Sequence, residues 1–319
     1  MEYVQSKSTH DSMMRIFLIS ILLLFGGSLQ TFSQDSAVNL FNSALAKAQS
    51  GDMPGAIEDF DKCLAVDSEN ANAYYWRGLA KAATNQINEA IADFGLATKY
   101  DPSHAEAFLR RGTLYNNVGN PRAALDNLEA AVNLLPGNTD ALLNRGIANA
   151  NLGNHEVAIK DFTSLLAQDR SNELIYINRG ISHRKLNQLG NALEDFDNAV
   201  RYNKMSADGY VNRGIVHSMQ EEYEFAIADY TQAIVIDPKN SDAFYNRGIV
   251  YSKRDQHQDA IRDFSKAISI NPEDADSYMN RGIEKVIIGK KDDGCSDIIK
   301  AANLGLVVAI EERNKFCGF

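Results

Sequence analysis

Positive charge is scarce in this chain. Its 319 residues carry 32 Lys and Arg against 42 Asp and Glu, a net charge of −10. No basic stripe stands out, which argues against nucleic acid, whose phosphates demand Lys and Arg, and against anionic lipid surfaces. Cysteine is scarcer still. Cys63, Cys295 and Cys317 are the full set, too few and too scattered for a thiolate metal site. The six His residues form no His-Glu-x-x-His, and there is no phosphate loop and no Gly-x-Ser-x-Gly elbow. The acids are spread evenly along the chain, not paired for acid–base work. No enzymatic activity, cofactor or metal is therefore expected. Long apolar runs are missing too. Ile16–Phe25, broken only by Ser20, reaches about half of what a spanning helix needs.

That run sits where a secretory signal would place it. Arg15 precedes it, Gly26 and Gly27 end it, and Thr31-Phe32-Ser33 puts small residues at the −3 and −1 positions of a cleavage after Ser33. No Cys follows closely, which argues against a lipoprotein. Residues 1–33 are therefore expected to be a removed signal, with 34–36 a short linker. Residues 1–12 make a long polar lead, and Met13 or Met14 is a more natural start. The product is expected outside the bacterial cytoplasm, periplasmic or extracellular, with no transmembrane segment after signal removal.

What the chain has in abundance is repetition. Arg-Gly recurs seven times at a spacing of 34 residues, from Arg77-Gly78 through Arg145-Gly146 to Arg281-Gly282. A fixed period of this length signals stacked supersecondary units. With the Gly at position 8, eight units follow: 37–70, 71–104, 105–138, 139–172, 173–206, 207–240, 241–274 and 275–308. Position 4 is aromatic or Leu, as in Tyr74 and Phe244. Position 20 is Ala from Ala56 to Ala260, and Gly294 last. Position 24 runs Phe60, Phe94, Leu128, Phe162, Phe196, Tyr230, Phe264, Ile298. Positions 4, 8 and 11 share one helix face, as do 20, 24 and 27. Gly or Asn at position 15 breaks the chain between the helices, and Pro102, Pro136, Pro238 and Pro272 at position 32 end four units. Each unit reads as helix, turn, helix, turn.

Two further columns are charged. Position 7 holds Arg77, Arg111, Arg145, Arg179, Arg213, Arg247 and Arg281. Position 23 holds Asp59, Asp93, Asp161, Asp195, Asp229, Asp263 and Asp297, with Asn127 the exception. A repeated structural ion pair follows. It can close within one repeat or between the Asp of one repeat and the Arg of the next; the second is preferred, because position 7 should face the preceding repeat. His183 and His217 share position 11, a column that holds Tyr at Tyr115 and Tyr251, and read as core residues.

The pattern of aromatic at 4, Gly at 8, Ala at 20, aromatic at 24, Ala at 27 and Pro at 32 resembles the tetratricopeptide repeat family over residues 37–308. It departs at position 7, where Arg replaces the usual Leu, as in an Asn-Arg-Gly variant seen at Asn144-Arg145-Gly146 and four later copies. The resemblance implies an all-α solenoid of eight helix-turn-helix units in a right-handed superhelix. It also implies a protein or peptide partner docked on the concave face through positions 2, 5, 9, 12 and 13 of the first helices. Those columns supply an apolar floor of Tyr75, Leu109, Leu143, Ile177, Val211, Tyr245 and Met279, and an acidic lip that includes Asp140, Asp208 and Asp242. Arg184, Lys185 and Lys253 are the basic exceptions. Tyr245 is the expected anchor. A structural subunit of an envelope complex, using the convex face and ends, is the alternative, and a glycan-binding module a weaker one. The ending resembles the caps of secreted bacterial members. It implies a C-terminal cap at 309–319 and a disulfide between Cys295 and Cys317 in an oxidising compartment; Leu306–Lys315 itself reads as a short amphipathic helix with Val307, Ile310 and Phe316 facing in. Cys63, at small position 27, reads as core.

Overall fold

In the computed structural model, residues 36–318 are described. The expected signal lies outside them. Seventeen helices and no strand occur among the described residues, and none of the helices is long and apolar enough to cross a membrane. The fold is all-α, a helical-repeat solenoid. It divides into two compact units, one through Ala148 and one from Asn149.

The first unit holds α1 (36–49), α2 (Met53–Val66), α3 (Ala71–Ala83), α4 (Ile87–Tyr100), α5 (Ala105–Asn117), α6 (Pro121–Leu134) and most of α7 (Thr139–Asn151). The second holds α8 (His155–Gln168), α9 (Glu173–Lys185), α10 (Leu189–Tyr202), α11 (Ala207–Met219), α12 (Tyr223–Ile236), α13 (Ser241–Lys253), α14 (His257–Ile270), α15 (Ala275–Ile287), α16 (Lys291–Asn303) and α17 (Val307–Cys317). In each unit a helix packs most heavily on the next in sequence, as antiparallel pairs joined by short turns must.

Helix starts have a chemical cause. Position 34, the last of each unit, supplies a capping side chain. Asn70, His104, Asn138, Asn172, Ser206, Asn240 and Asp274 each accept a hydrogen bond from a backbone N–H in the following first turn. Helix ends are set at position 15. Gly51, Gly119, Gly153 and Gly289 are left-handed there, and so are Asn85, Asn187, Glu221 and Asp255, the last two at φ 62° and 56°.

The core is built from position 24 against position 8. Phe60, Phe94, Leu128, Phe162, Phe196, Tyr230, Phe264 and Ile298 are all at most 1% exposed. A Cβ on Gly214 would lie 2.8 Å from the Tyr230 ring, and one on Gly78 2.9 Å from Phe94. The glycine is there because the ring occupies that space.

Candidate functional site

The Arg column pairs within the repeat. Arg77 Nε and Nη2 donate to Asp93 at 2.8 and 2.6 Å. Arg179 meets Asp195, Arg213 meets Asp229, Arg247 meets Asp263 and Arg281 meets Asp297 in the same way. The expected pairing to the next repeat is thus corrected. Gly at position 8 brings the two helices of one repeat so close that its neighbour at position 7 lands beside position 23. Only the third arm of the Arg reaches back, and it finds position 25. Arg77 Nη1 binds Asp61 at 2.6 Å and Arg213 Nη1 binds Asp197 at 2.8 Å. Thr163, Thr231 and Ser265 take that arm elsewhere.

Several of the buried Asp are met from a second side, by position 11. Lys81 reaches Asp93 at 2.8 Å and Lys285 reaches Asp297 at 2.7 Å. His183 and His217 stand 3.9 Å from Asp195 and Asp229. The two histidines therefore belong to this ladder. The Lys at 47, 81 and 285 was the available signal for it. Asp59, which has Ser43 instead of Arg at position 7, is held by Lys47, Ser43 and Lys62, and these contacts keep its carboxyl well below the usual carboxylate range. Arg111 meets the neutral Asn127, and burial without a carboxylate lowers its pKa. Asp161 is buried.

The first-helix face is less open than expected. Leu109, Ile177 and Val211 are buried, while Leu143 and Met279 are partly covered. In the second unit the cover comes from neighbouring first helices, which touch one another: α9 with α11, α11 with α13, α13 with α15. Tyr245 is no free anchor. Its ring packs 5.9 Å from Phe264, its hydroxyl accepts from Asn280 at 3.3 Å, and burial raises its pKa. Tyr75 is half-buried, with its ring 4.6 Å from His104. Asp140, Asp208 and Asp242 are exposed, as are Lys185 and Lys253. Arg184 is half-buried, its Nε has no hydrogen-bond partner, and burial lowers its pKa.

The first unit does contain an open apolar pocket on that face. Leu45, Ala48, Gln49, Met53, Trp76, Leu79 and Ala80 enclose about 160 Å³. Leu45 and Leu79 occupy position 9, Ala48 position 12 and Gln49 position 13. Trp76 was not singled out from the sequence. The signal was there: it is the sole Trp, at position 6, where five later repeats carry Asn.

At the C-terminal end Cys295 and Cys317 form a disulfide, with Cα atoms 5.7 Å apart. Cys63 is free and buried, its thiol donates to the Ala37 carbonyl, and burial raises its pKa. The capping helix runs Val307–Cys317, one residue later at its start than the expected Leu306, and its facing is corrected. Ala309 is fully buried and Phe316 packs inward, but Val307 is 73% exposed and Ile310 42%. Leu306 serves as N-cap and turns inward, which rotates Val307 to the outside.

Tetratricopeptide repeat models match residues 41–98 and 109–173, and 241–274; a TPR repeat model matches 219–255. Together they span more than half of the chain. The chain is a tetratricopeptide repeat protein. Among solved structures, this repeat protein is similar to a tetratricopeptide repeat protein from Parabacteroides merdae ATCC 43184. The two are 20% identical, with a TM-score of 0.64, over 76% of this chain and 97% of that one. It is also similar to a chain of the APC/C hetero-tetramer Cut9-Hcn1, 16% identical with a TM-score of 0.62, over 82% of this chain and 52% of that one. At such identities the likeness concerns the fold. No curated protein matches the chain.

Proposed function

We propose that this repeat protein is an exported, non-enzymatic scaffold that binds a protein or peptide through the ligand-facing side of its first helices. The observation that carries the reading is the apolar pocket around Trp76, open on positions 9, 12 and 13 of the first two repeats. Trp76 is 38% exposed. A large aromatic at the rim of an apolar pocket is the residue type that dominates binding energy in protein contacts. The exposed acids of position 2, such as Asp140, Asp208 and Asp242, would add charge selectivity without much affinity. Export rests on the sequence pattern before Gln34. Intact-mass measurement of the native protein tests it, the expected N-terminus being Gln34 or within a few residues of it.

Trp76 also reports on its own site, since no other Trp contributes fluorescence. A partner recovered by crosslinking from the native periplasm or medium is expected to shift Trp76 emission on titration. Trp76→Ala is expected to weaken it by about 1–3 kcal/mol without loss of helicity.

A second reading is a structural subunit held by its ends. Val307, Val308 and Ile310 favour it, being 73%, 43% and 42% exposed on α17. Partner binding indifferent to Trp76→Ala but lost in Val307→Asp would decide for this second reading.

A further inference from the structure

The fourth and fifth repeats share a groove that the first-helix reading does not use. Thr163, Leu166, Ala167, Arg170, Tyr176, Arg179, Arg201 and Tyr202 enclose about 390 Å³, all within the second unit. The Tyr176 and Tyr202 rings stack at 5.7 Å, 12° from parallel. Arg179 lies over the first ring at 5.7 Å and Arg201 over the second at 4.9 Å. No carboxylate lines the groove. Arg179 is neutralised by the buried Asp195, and its remaining arm donates to Thr163 Oγ1 at 3.0 Å. That hydroxyl keeps its own hydrogen to donate. Among the described residues Arg201 meets only the neutral acceptors Asn198 and Tyr202, and the exposed Arg170 pairs with no carboxylate.

The chain contains its own control. In the second repeat the same stack recurs. Tyr74 and Tyr100 lie 5.7 Å apart at 11°, with Arg77 over one and Lys99 over the other. There, position 25 is Asp61, whose carboxylate takes the free arm of Arg77 at 2.6 Å, and position 32 is Ser68. In the fourth and fifth repeats position 25 becomes Thr163 and position 32 becomes Arg170. Both changes shift the same spot towards positive charge, in a chain whose net charge is −10. The earlier copy carries its anion within the fold; the later one lacks it and has an extra guanidinium.

From this we infer that the Tyr176–Tyr202 groove binds carboxylate side chains of a short acidic segment in a partner polypeptide. Arg170 and Arg201 supply the charge, in the planar geometry that guanidinium offers carboxylate. The Thr163 hydroxyl donates into the place that Asp61 fills in the earlier copy. The stacked tyrosines form the wall against which the segment's aliphatic stems lie. A carboxylate is the chosen ligand because a carboxylate is what the fold itself puts there, at Asp61 and again at Asp197.

The test uses the full chain and two dye-labelled Gly-Ser peptides, one carrying four consecutive glutamates and the other four glutamines, followed by fluorescence anisotropy. The glutamate peptide is expected to bind at least tenfold tighter. Arg170→Gln with Arg201→Gln is expected to remove that preference. So is Thr163→Asp, which rebuilds the internal anion of the first two repeats and keeps the fold intact by the same contact that Asp61 makes. Circular dichroism should not change. Equal binding of the two peptides would overturn the inference, as would a Thr163→Asp protein that binds like the parent. Displacement of the peptide by an equimolar amount of inorganic phosphate would also overturn it, making the groove a small-oxyanion site.

Discussion

Arg213 shows how much one side chain does in this repeat. Two arms bind Asp229, the third binds Asp197, and the plane lies 5.4 Å over the Tyr210 ring. The hydrogen bond to Asp229 raises its pKa, against burial, which lowers it. Arg213→Ala leaves Asp229, 5% exposed, without its main partner. The expected cost is about 1–3 kcal/mol. A double-mutant cycle should show coupling to Asp229 and none to Asp195, which is bound to Arg179. Asp59 carries a pH signature. Its pKa is depressed in the folded chain by Lys47, Ser43 and Lys62. Its stabilising contribution is therefore present above the unfolded value of about 3.9 and is lost as pH falls towards the folded one. Thermal melts should show Asp59→Asn less stable than the parent at pH 7, with the gap closing below about pH 4.

At the scale of elements, turns and helix contacts obey different limits. Glu221 and Asp255 sit in left-handed backbone at the turn between two helices, where four other repeats use Gly. Glu221→Gly and Asp255→Gly should each stabilise by about 0.5–1 kcal/mol, read as a rise in the urea midpoint. The reverse change inside a helix should hurt. Gly214→Ala places a Cβ 2.8 Å from the Tyr230 ring, which cannot retreat from a core where it is 1% exposed. A loss of about 1–3 kcal/mol is expected. The sequence showed both columns, since small residues at 8 and breakers at 15 are local requirements. The position-34 caps, among them Asn70, Asn138 and Asn240, were not read from the sequence and emerge only once the helix starts are fixed.

For the molecule as a whole, the disulfide ties α17 to the start of α16. Denatured, non-reduced protein should present one thiol, Cys63. Reduction should lower the stability of the C-terminal repeat by about 3 kcal/mol, from the entropy of a loop of this length. Hydrogen exchange should find the gain in exchange confined to α16 and α17. Exchange spread evenly over the chain would contradict a cap that acts locally.

The sequence by itself determined the repeat length, the helix pairs and the packing columns at 8, 20 and 24. These follow from the spacing of residue types along one chain, because each repeat solves the same local problem. Tertiary structure decided what spacing cannot. Whether Arg213 meets Asp229 or Asp195 depends on the distance between two helices, and Gly214 sets that distance. Position 5 is a floor or a seam according to how neighbouring first helices touch, and in the second unit their contact buries Ile177 and Val211. Val307 points outward because Leu306 turns in to cap its helix. A periodic sequence names the faces of each helix; only the assembled stack says which of those faces another helix covers.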